Sequence, residues 1–222
     1  MYGGIVQLAC PTHRMSATPT TTRPRRSKAA APDAARSALT PERWIEAATE
    51  VLVDRGIDSV RVDVLAQQLQ VTRGSFYWHF RDREELLRRV LQAWRERATE
   101  QLTLRLEGAH ADPREQLRDV ISLPIRGRAA QRAARIELAI RAWARRDAMA
   151  RQFVDEADGA RIAYIAQVFS SLGFGVAEAR WRAFATYAYV VAESQIAAPI
   201  AQLQRAERDR FIEQLMQLPL PG

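Results

Sequence analysis

The sequence predicts an all-α protein of about nine helices, in which three short helices near the N-terminus precede a larger helical part. Apolar residues recur three and four positions apart through most of the chain, as on the buried face of an α-helix. Cap residues, prolines and glycines stand at the ends of these periodic segments. No strand pattern stands out, so we expect no β-sheet.

Residues 1–38 precede the first periodic segment and are rich in Thr, Pro, Ala, Ser and Arg. We predict a disordered tail here. Its five arginines and Lys28, set against Asp33, give a formal charge of +5. Either the tail is solvated and unbound, or it is a basic arm that strengthens binding to a nucleic acid by releasing counterions or reaching a minor groove. Met15 is an alternative start of translation.

The first predicted helix begins behind Thr40, with Pro41 at its first position, and ends before Gly56. Its apolar face consists of Trp44, Ile45, Ala47, Ala48, Val51 and Leu52. A second, shorter helix follows from Val62 to Leu69. Its inward-facing residues are Val62, Leu65, Ala66 and Leu69.

The third helix is predicted from Thr72 to His79, with Thr72 as its N-cap. Phe76 and Phe80 are four residues apart, so both should face the core. Three aromatic residues stand between them, and at least some of these must point outward. Such an aromatic cluster is unusual for a short helix that does no more than pack.

The first turn of this helix contains Arg73, Gly74 and Ser75. Small residues let a helix N-terminus approach another surface, and its free N–H groups suit a phosphate. Arg73 adds a planar fork that can bind phosphate or guanine. Because two short helices joined by a tight turn at residues 70–71 have the layout of a helix-turn-helix, we predict a DNA-binding domain at residues 39–84.

Residues 85–222 predict a larger helical domain. Asp82 caps a long fourth helix that reaches about Leu106, and Glu85 would complete a capping box with it. A fifth helix starts at Asp112 and is stopped by Pro124. The remaining helices are predicted at Ala129–Arg145, Ala148–Leu172, Val176–Ala197 and Ala206–Gln217.

The 222 residues carry a formal charge of +7, which favours a polyanionic partner. Residues 41–87 nevertheless hold six arginines against nine acidic residues, a formal charge of −3, so net charge does not identify a DNA-binding face. Cys10 is the only cysteine, so no disulfide can form within the chain. Without a long apolar run or a signal peptide, we expect a cytoplasmic protein.

The sequence does not predict an enzyme. His13, His79 and His110 are the only histidines. No metal-ligand spacing, glycine-rich phosphate loop or nucleophilic triad is present in the sequence. We therefore expect no catalytic residues, no metal site and no cofactor.

Residues 40–90 carry a combination of residues that is specific when taken together. It consists of Ile45, Ala47, Ala48, Val51, Leu52 and Gly56, then Leu65-Ala66, then Val71-Thr72-x-Gly74-x-Phe76-Tyr77-x-His79-Phe80, then Arg83-Glu84-x-Leu86. This combination resembles the DNA-binding domain of the tetracycline-repressor (TetR) family. Two positions depart from the family pattern. Arg61 stands where a Ser or Thr usually caps the second helix, a role that Ser59 could take, and Arg83 stands where Lys is usual.

The resemblance implies a homodimeric transcriptional regulator, most often a repressor that a small-molecule ligand releases from a palindromic DNA operator. Residues 85–222 would then bind the ligand and form the dimer. Two alternatives stay open in the sequence. A protein partner could control the regulator in place of a small molecule, or the protein could activate transcription.

The resemblance assigns DNA contacts to residues of the second, third and fourth helices. Phosphate contacts are expected from Arg61, Thr72, Tyr77, His79 and Arg83, base contacts from Arg73, Ser75 and Trp78, and close approach at Gly74. Each has a structural alternative. Tyr77 could pack on the first helix, His79 could cap the third, Trp78 could cover the next turn, and Arg73 could pair with Asp63.

A ligand pocket framed by the fourth to eighth helices would be lined by Trp94, Trp143, Tyr164, Phe169, Phe184 and Tyr187. Each of these could equally be part of the core. Arg141 and Arg161 could anchor the ligand, or could join Asp158 in ion pairs between helices. A ligand would act by favouring one spacing of the two DNA-binding domains, and movement of the fourth helix would transmit that preference.

In this family the last two helices usually form a four-helix interface with those of a second subunit. Here the interface would consist of Trp181, Phe184, Tyr187, Val190, Val191, Phe211, Ile212, Leu215 and Met216. The alternative is that these apolar residues belong to the core of one chain.

Overall fold

The computed structural model describes residues 39–122, 127–195 and 201–217. Its α-helices are α1 Pro41–Arg55, α2 Val62–Gln68, α3 Arg73–Phe76, α4 Arg83–Arg95, α5 Gln101–Ala109, α6 Pro113–Ser122, α7 Gly127–Ala144, α8 Ala148–Ser171, α9 Val176–Gln195 and α10 Ala201–Met216. A π-helical turn, Glu96–Glu100, joins α4 to α5 without a break. These residues contain no strand, which confirms the all-α prediction. The predicted tail, residues 1–38, lies outside them.

Local sequence explains the bounds of the N-terminal helices. Pro41 opens α1, and Gly56, with a φ of 78°, ends it in the left-handed region that favours glycine. Asp82 caps α4 by accepting the backbone N–H of Glu85 at 2.8 Å. The Glu85 carboxylate turns back as in a capping box, but it accepts the N–H of Arg81.

Three helix predictions differ from the structure. The third helix is a single turn, because both His79 and Phe80 donate their backbone N–H groups to the Phe76 carbonyl and close the chain into a turn. Ser59 donates its hydroxyl to the Arg55 carbonyl at 3.0 Å, so it does not cap α2. The last helix starts at Ala201, five residues before its predicted start at Ala206.

The first hydrophobic core joins the N-terminal helices to the larger domain. It contains Trp44, Leu52, Leu65, Phe76 and Phe80 from α1–α3 and the segment that follows, together with Leu91 and Trp94 of α4, Trp143 of α7 and Val154 of α8. A second core unites α5, α6 and α8–α10, and includes Leu117, Ile121, Phe169, Ala183 and Ile212. The first core contains residues on both sides of the predicted domain boundary at residues 84–85. A shift of α4, α7 or α8 would therefore also move the N-terminal helices.

Candidate nucleic-acid interface and ligand cavity

Residues 72–79, hereafter the recognition turn, are anchored by buried rings. Phe76 is 0% exposed, and its ring centroid lies 5.4 Å from that of Trp44 and 5.2 Å from that of Phe80. Tyr77 is 58% exposed and Trp78 is 86% exposed. The buried rings therefore fix the turn on α1, while two aromatic side chains face solvent. Trp78 does not cover the next turn, which excludes that alternative.

Gly74 lies in the exposed first turn of α3. Among the described residues, a Cβ built on Gly74 would meet only Thr72 Oγ1, at 3.7 Å, which is ordinary van der Waals contact. Its φ does not fall in the left-handed region. Glycine in a helix costs about 0.5–1 kcal/mol relative to alanine. A surface that approaches this backbone from outside the protein would explain why a glycine stands here.

Two predicted DNA contacts take other roles in the structure. Ser75 is 4% exposed because it points into the protein beneath the recognition turn, so the prediction that it contacts a base is wrong for this geometry. Arg83 donates from Nε to the Val60 carbonyl and from Nη2 to the Ile57 carbonyl, the latter at 2.8 Å. These bonds tie α4 to the segment between α1 and α2, and so compete with the predicted phosphate contact.

The other predicted contacts lie on or beside the recognition turn. Thr72 and Arg73 are exposed, and His79 is half-buried. Arg61 stands at the N-cap position of α2 and pairs with Asp63 at 2.8 Å, taking the partner considered for Arg73. An exposed pair of this kind contributes little to stability, so a phosphate could replace the carboxylate.

The acidic side of α1 faces α7. Asp54 Oδ1 lies 3.1 Å from Arg135 Nη2, and Arg132 Nη2 lies 4.0 Å from carboxylate oxygens of both Glu46 and Glu50. Glu50, Asp54, Arg132 and Arg135 border a cleft of about 350 Å³ between the two helices. The negative charge counted for residues 41–87 is thus partly neutralised by arginines of the larger domain, which explains why net charge did not reveal a DNA-binding face.

A cavity of about 550 Å³ lies in the larger domain between the π turn and helices α5–α9. Small and aliphatic side chains make up most of its wall, among them Leu102, Leu106, Ala133, Ala134, Ile165 and Val190. The polar side chains include Thr99, Glu137, Arg161, Tyr164 and Tyr187. Both the volume and this mixture are usual for sites that bind small organic molecules.

Three residues predicted for the pocket line this cavity: Arg161, Tyr164 and Tyr187. The other five do not, which corrects the prediction. Trp94, Trp143 and Phe169 are buried in the two cores, Phe184 is 64% exposed, and Arg141 is engaged by acidic residues behind the wall. The prediction missed four alanines of α7, Ala129, Ala130, Ala133 and Ala134. Their spacing places them on one helix face, a signal that the sequence did contain.

Two acidic and two basic residues form a network at the polar wall of the cavity. Arg141 donates to Glu137 at 2.8 Å and to Asp158 at 2.6 Å, and Arg161 donates to Glu137 at 2.9 Å. The Tyr187 hydroxyl donates to Asp158 at 2.6 Å and accepts from Arg141 at 2.8 Å and from Arg161 at 2.9 Å. Ion pairing of Arg141, Asp158 and Arg161 between helices is therefore confirmed.

The network shifts the pKa values of Asp158 and Tyr187. Burial alone would raise the pKa of Asp158, but hydrogen bonds from Arg141 and Tyr187 outweigh it and hold that pKa below its usual value of 3.8. Burial raises the pKa of Tyr187 to about 12, although the positive charge of Arg161 opposes the rise. At neutral pH Asp158 is therefore ionised and Tyr187 is neutral.

Arg161 also links the cavity wall to the π turn. It donates from Nη2 to the Ala98 carbonyl and from Nε to Thr99 Oγ1, both at 3.2 Å. A π turn interrupts the regular helical bonding, and such turns are frequent at functional sites. The helix α4 extends from this turn to α1. The Arg161 side chain therefore connects the cavity, through α4, to the helix that supports the recognition turn.

Aromatic side chains of α9 form an exposed apolar patch. Trp181 is 51% exposed, Phe184 is 64% exposed, and Val176, at the start of the same helix, is 74% exposed. The neighbouring Arg182 is buried, with Nε and Nη2 on Glu178 and Nη1 on the Leu215 carbonyl, so it joins α9 to α10. The patch therefore stands on a helix that the chain's own core holds in place.

The remaining interface predictions fall into two groups. Ile212, Leu215 and Met216 are 3%, 6% and 3% exposed and belong to the second core, because α10 packs against α6 and α9 of its own chain. Placing them at a subunit interface was wrong for this geometry. Val191 lines the cavity, and Phe211 stacks on Tyr189 with ring centroids 4.5 Å apart.

Within the described ranges, no group of three or more His, Cys, Asp or Glu side chains is arranged to hold a metal ion. In the same part of the chain, no helix is long and apolar enough to cross a membrane.

Residues 45–90 match the family model for bacterial regulatory proteins of the tetR family. Over 58 residues, 26% of this chain, the sequence is 43% identical to the HTH-type transcriptional regulator SrpR of Pseudomonas putida. That match spans 27% of the length of SrpR. The segment that it covers is short, and the family match contains the recognition turn.

Solved structures extend the similarity of fold to most of the chain. A transcriptional regulator from Saccharomonospora viridis, solved in complex with choline, superposes with a TM-score of 0.66 and 20% identity, covering 78% of this chain and 95% of its own. AibR, solved with isovaleryl coenzyme A and operator DNA, superposes with a TM-score of 0.59 and 20% identity, covering 79% and 97%. At these identities the likeness concerns the fold.

Proposed function

We propose that the chain is a homodimeric repressor of the TetR family, whose family model its residues 45–90 match, and that a small molecule releases it from a palindromic operator. The observation that carries this proposal is the recognition turn, where exposed Arg73, Tyr77 and Trp78 surround Gly74 on buried anchors. Family members are regulatory proteins, in agreement with the expectation that this chain is not an enzyme. A DNA-binding role also fits a cytoplasmic location.

Contacts at the recognition turn would divide into two kinds. Arg73 and Trp78 would meet base edges or a thymine methyl group, while Thr72, Tyr77, His79 and Arg61 would hold phosphates. Gly74 would let the phosphate backbone come close to the start of α3. The buried Phe76 and Phe80 would keep this arrangement rigid, so little order has to be gained on binding.

A second subunit would cover the exposed patch at Val176, Trp181 and Phe184. Exposed aromatic residues of this size are typical of the centres of protein interfaces. A two-fold axis through α9 would present two recognition turns to successive major grooves, and it would require a palindromic site with half-sites about one helical turn apart.

The cavity would hold the small molecule. Its occupant would touch the alanine face of α7, whose opposite face carries Arg132 and Arg135 against α1. It would also touch Arg161, which holds the π turn below α4. Ligand binding would therefore shift α1 and α4, the two helices that support the recognition turn. This shift would change the spacing of the two recognition turns in the dimer.

Selection from a pool of random DNA duplexes tests this function. We expect the purified protein to enrich a palindrome, and to lower transcription in vitro when that palindrome overlaps a promoter. Enrichment without any symmetry would contradict the dimeric repressor. A rise in transcription would identify an activator instead, and release of DNA by a protein fraction, with none by small molecules, would point to a protein partner.

A further inference from the structure

We propose that the cavity takes an uncharged, largely apolar small molecule that carries one hydroxyl or N–H group, and that it discriminates against ions of either sign. This inference deepens the proposed function and rests on its ligand-responsive part.

The network formed by Glu137 and Arg161 of the wall with Arg141 and Asp158 behind it carries no net charge. Glu137 and Asp158 are matched by Arg141 and Arg161, with N–O distances of 2.6–2.9 Å between the closest atoms of each pair. All four side chains are largely removed from solvent, with exposures of 13–27%. A charged ligand placed against this wall would find no unpaired countercharge, and desolvating an unpaired ion costs several kcal/mol.

Most of the hydrogen-bonding groups of this network are also used within the protein. Arg161 donates four of its five N–H groups, to Thr99, Ala98, Glu137 and Tyr187. The Tyr187 hydroxyl already makes three hydrogen bonds, as many as a phenol can. An ion could bind tightly here only by breaking bonds that are present without it. A neutral molecule imposes no such exchange.

One acceptor on the wall keeps spare capacity. Glu137 Oε1 accepts from Arg141 and Arg161 at 2.8–3.1 Å, whereas Oε2 accepts a single hydrogen bond, from Arg161 at 3.1 Å. A carboxylate oxygen has two lone pairs, so Oε2 can accept one more hydrogen bond. A hydroxyl or N–H group of a neutral ligand would supply it and fix the ligand's orientation.

Three further charged side chains, Arg97, Arg105 and Asp119, line the cavity outside this network. Arg97 and Arg105 are exposed, so they lie at the rim, where solvent and salt screen their charges. Asp119 lies 3.2 Å from His110. The rest of the wall is apolar and small, as the alanine face of α7 shows. Binding energy would therefore come mainly from apolar contact over a cavity of about 550 Å³.

Competition against a neutral fluorescent probe tests the inference. The purified protein is titrated with N-phenyl-1-naphthylamine, whose emission rises in apolar sites, and the probe is then displaced by decanol, decanoate or decyltrimethylammonium below their micelle thresholds. The three competitors share one alkyl chain and differ in head-group charge. We expect the dissociation constant of decanol to be at least about tenfold lower than that of either ion, which corresponds to about 1.4 kcal/mol of binding free energy.

Two variants locate the effect. Ala134→Trp should fill the cavity and abolish probe binding, whereas Ala163→Trp, at an exposed position of α8 outside the cavity, should leave it unchanged. Glu137→Gln leaves the wall with one positive charge in excess. If this variant keeps its helical circular dichroism, it should gain affinity for decanoate and lose little for decanol.

Equal affinities for decanol and either ion would overturn the proposal, as would an absence of probe binding or probe binding that survives Ala134→Trp. Decanoate binding that disappears in Arg97→Ala or Arg105→Ala would also overturn it, because the rim would then select anions. The proposed function fails separately. If decanol fills the cavity but no neutral ligand releases operator DNA, the cavity is a binding site without control of DNA binding.

Discussion

At Gly74 the absence of a side chain serves no contact within the described part of the protein, which makes this residue a direct probe of an external surface. We expect Gly74→Ala to raise the free energy of unfolding by about 0.5–1 kcal/mol, because alanine favours the helix. The same change should weaken operator binding at least about tenfold, because its methyl group would meet the DNA backbone.

Urea denaturation and fluorescence anisotropy measure the two effects on the same sample. The opposite signs separate a lost contact from a damaged fold. A variant that is both more stable and fully competent for DNA binding would contradict the close approach at this residue.

Single residues also show how far sequence reasoning reaches. The four-residue spacing of Phe76 and Phe80 was sufficient to predict both as buried, and to predict that at least some residues between them point outward, as Tyr77 and Trp78 do. The burial of Ser75 and the bonds from Arg83 to backbone carbonyls were not predictable in this way. The bonds from Arg83 depend on the path of the chain between α1 and α2, which no side-chain period encodes.

At the scale of helices, the network of α7, α8 and α9 gives the fold a dependence on pH. The pKa of Asp158 is lowered in the folded protein, so its carboxylate contributes stability above the usual value of 3.8, and that contribution is lost as the pH falls through the folded pKa. We expect Asp158→Asn to lower the free energy of unfolding by about 1.5–3 kcal/mol at neutral pH, and to have less effect in acid.

Urea midpoints at neutral pH and below 3.8 measure this difference. Asp155→Asn on the same helix is the matched control, because Asp155 is 60% exposed and pairs with Arg151 at 3.5 Å. Equal losses for the two variants at neutral pH would show that the network does not hold the helices together.

The ends of the helices were predicted from N-cap residues and glycines more accurately than the features within the helices. Thr40, Thr72 and Asp82 stand at the N-cap positions of α1, α3 and α4 as predicted, but only the Asp82 side chain accepts a backbone N–H group there. The π turn at Glu96–Glu100 was missed, because it is held by Arg161, a residue distant in sequence. Neither did periodicity show that the alanine face of α7 borders a cavity, because small residues are equally compatible with close helix packing.

At the scale of the whole molecule, the proposed dimer requires that a second subunit cover Trp181 and Phe184. We expect the double substitution Trp181→Glu, Phe184→Glu to yield a folded monomer, because both side chains are more than half exposed in one chain and two carboxylates at the centre of an interface would be unpaired. The monomer should bind a full palindrome no more tightly than a half-site.

Analytical ultracentrifugation reports the oligomeric state, and Leu104→Glu is the control because that leucine is 69% exposed outside the patch. A double variant that remains dimeric would place the interface elsewhere. Sequence reasoning chose these two aromatic residues together with four residues that turned out to be core, Tyr187, Ile212, Leu215 and Met216, because periodicity cannot separate burial within a chain from burial between chains.

The proposed function depends on DNA binding by the recognition turn. Fluorescence anisotropy with DNA from upstream of the protein's own gene tests this binding most directly. The unaltered protein is compared with Arg73→Ala and Tyr77→Ala at two salt concentrations. Arg151→Ala serves as the control, since it removes the same charge from an exposed site on α8. We predict that both substitutions in the turn weaken binding by about 1–3 kcal/mol while the control does not. Weak binding that ignores sequence and is indifferent to both substitutions would contradict the account.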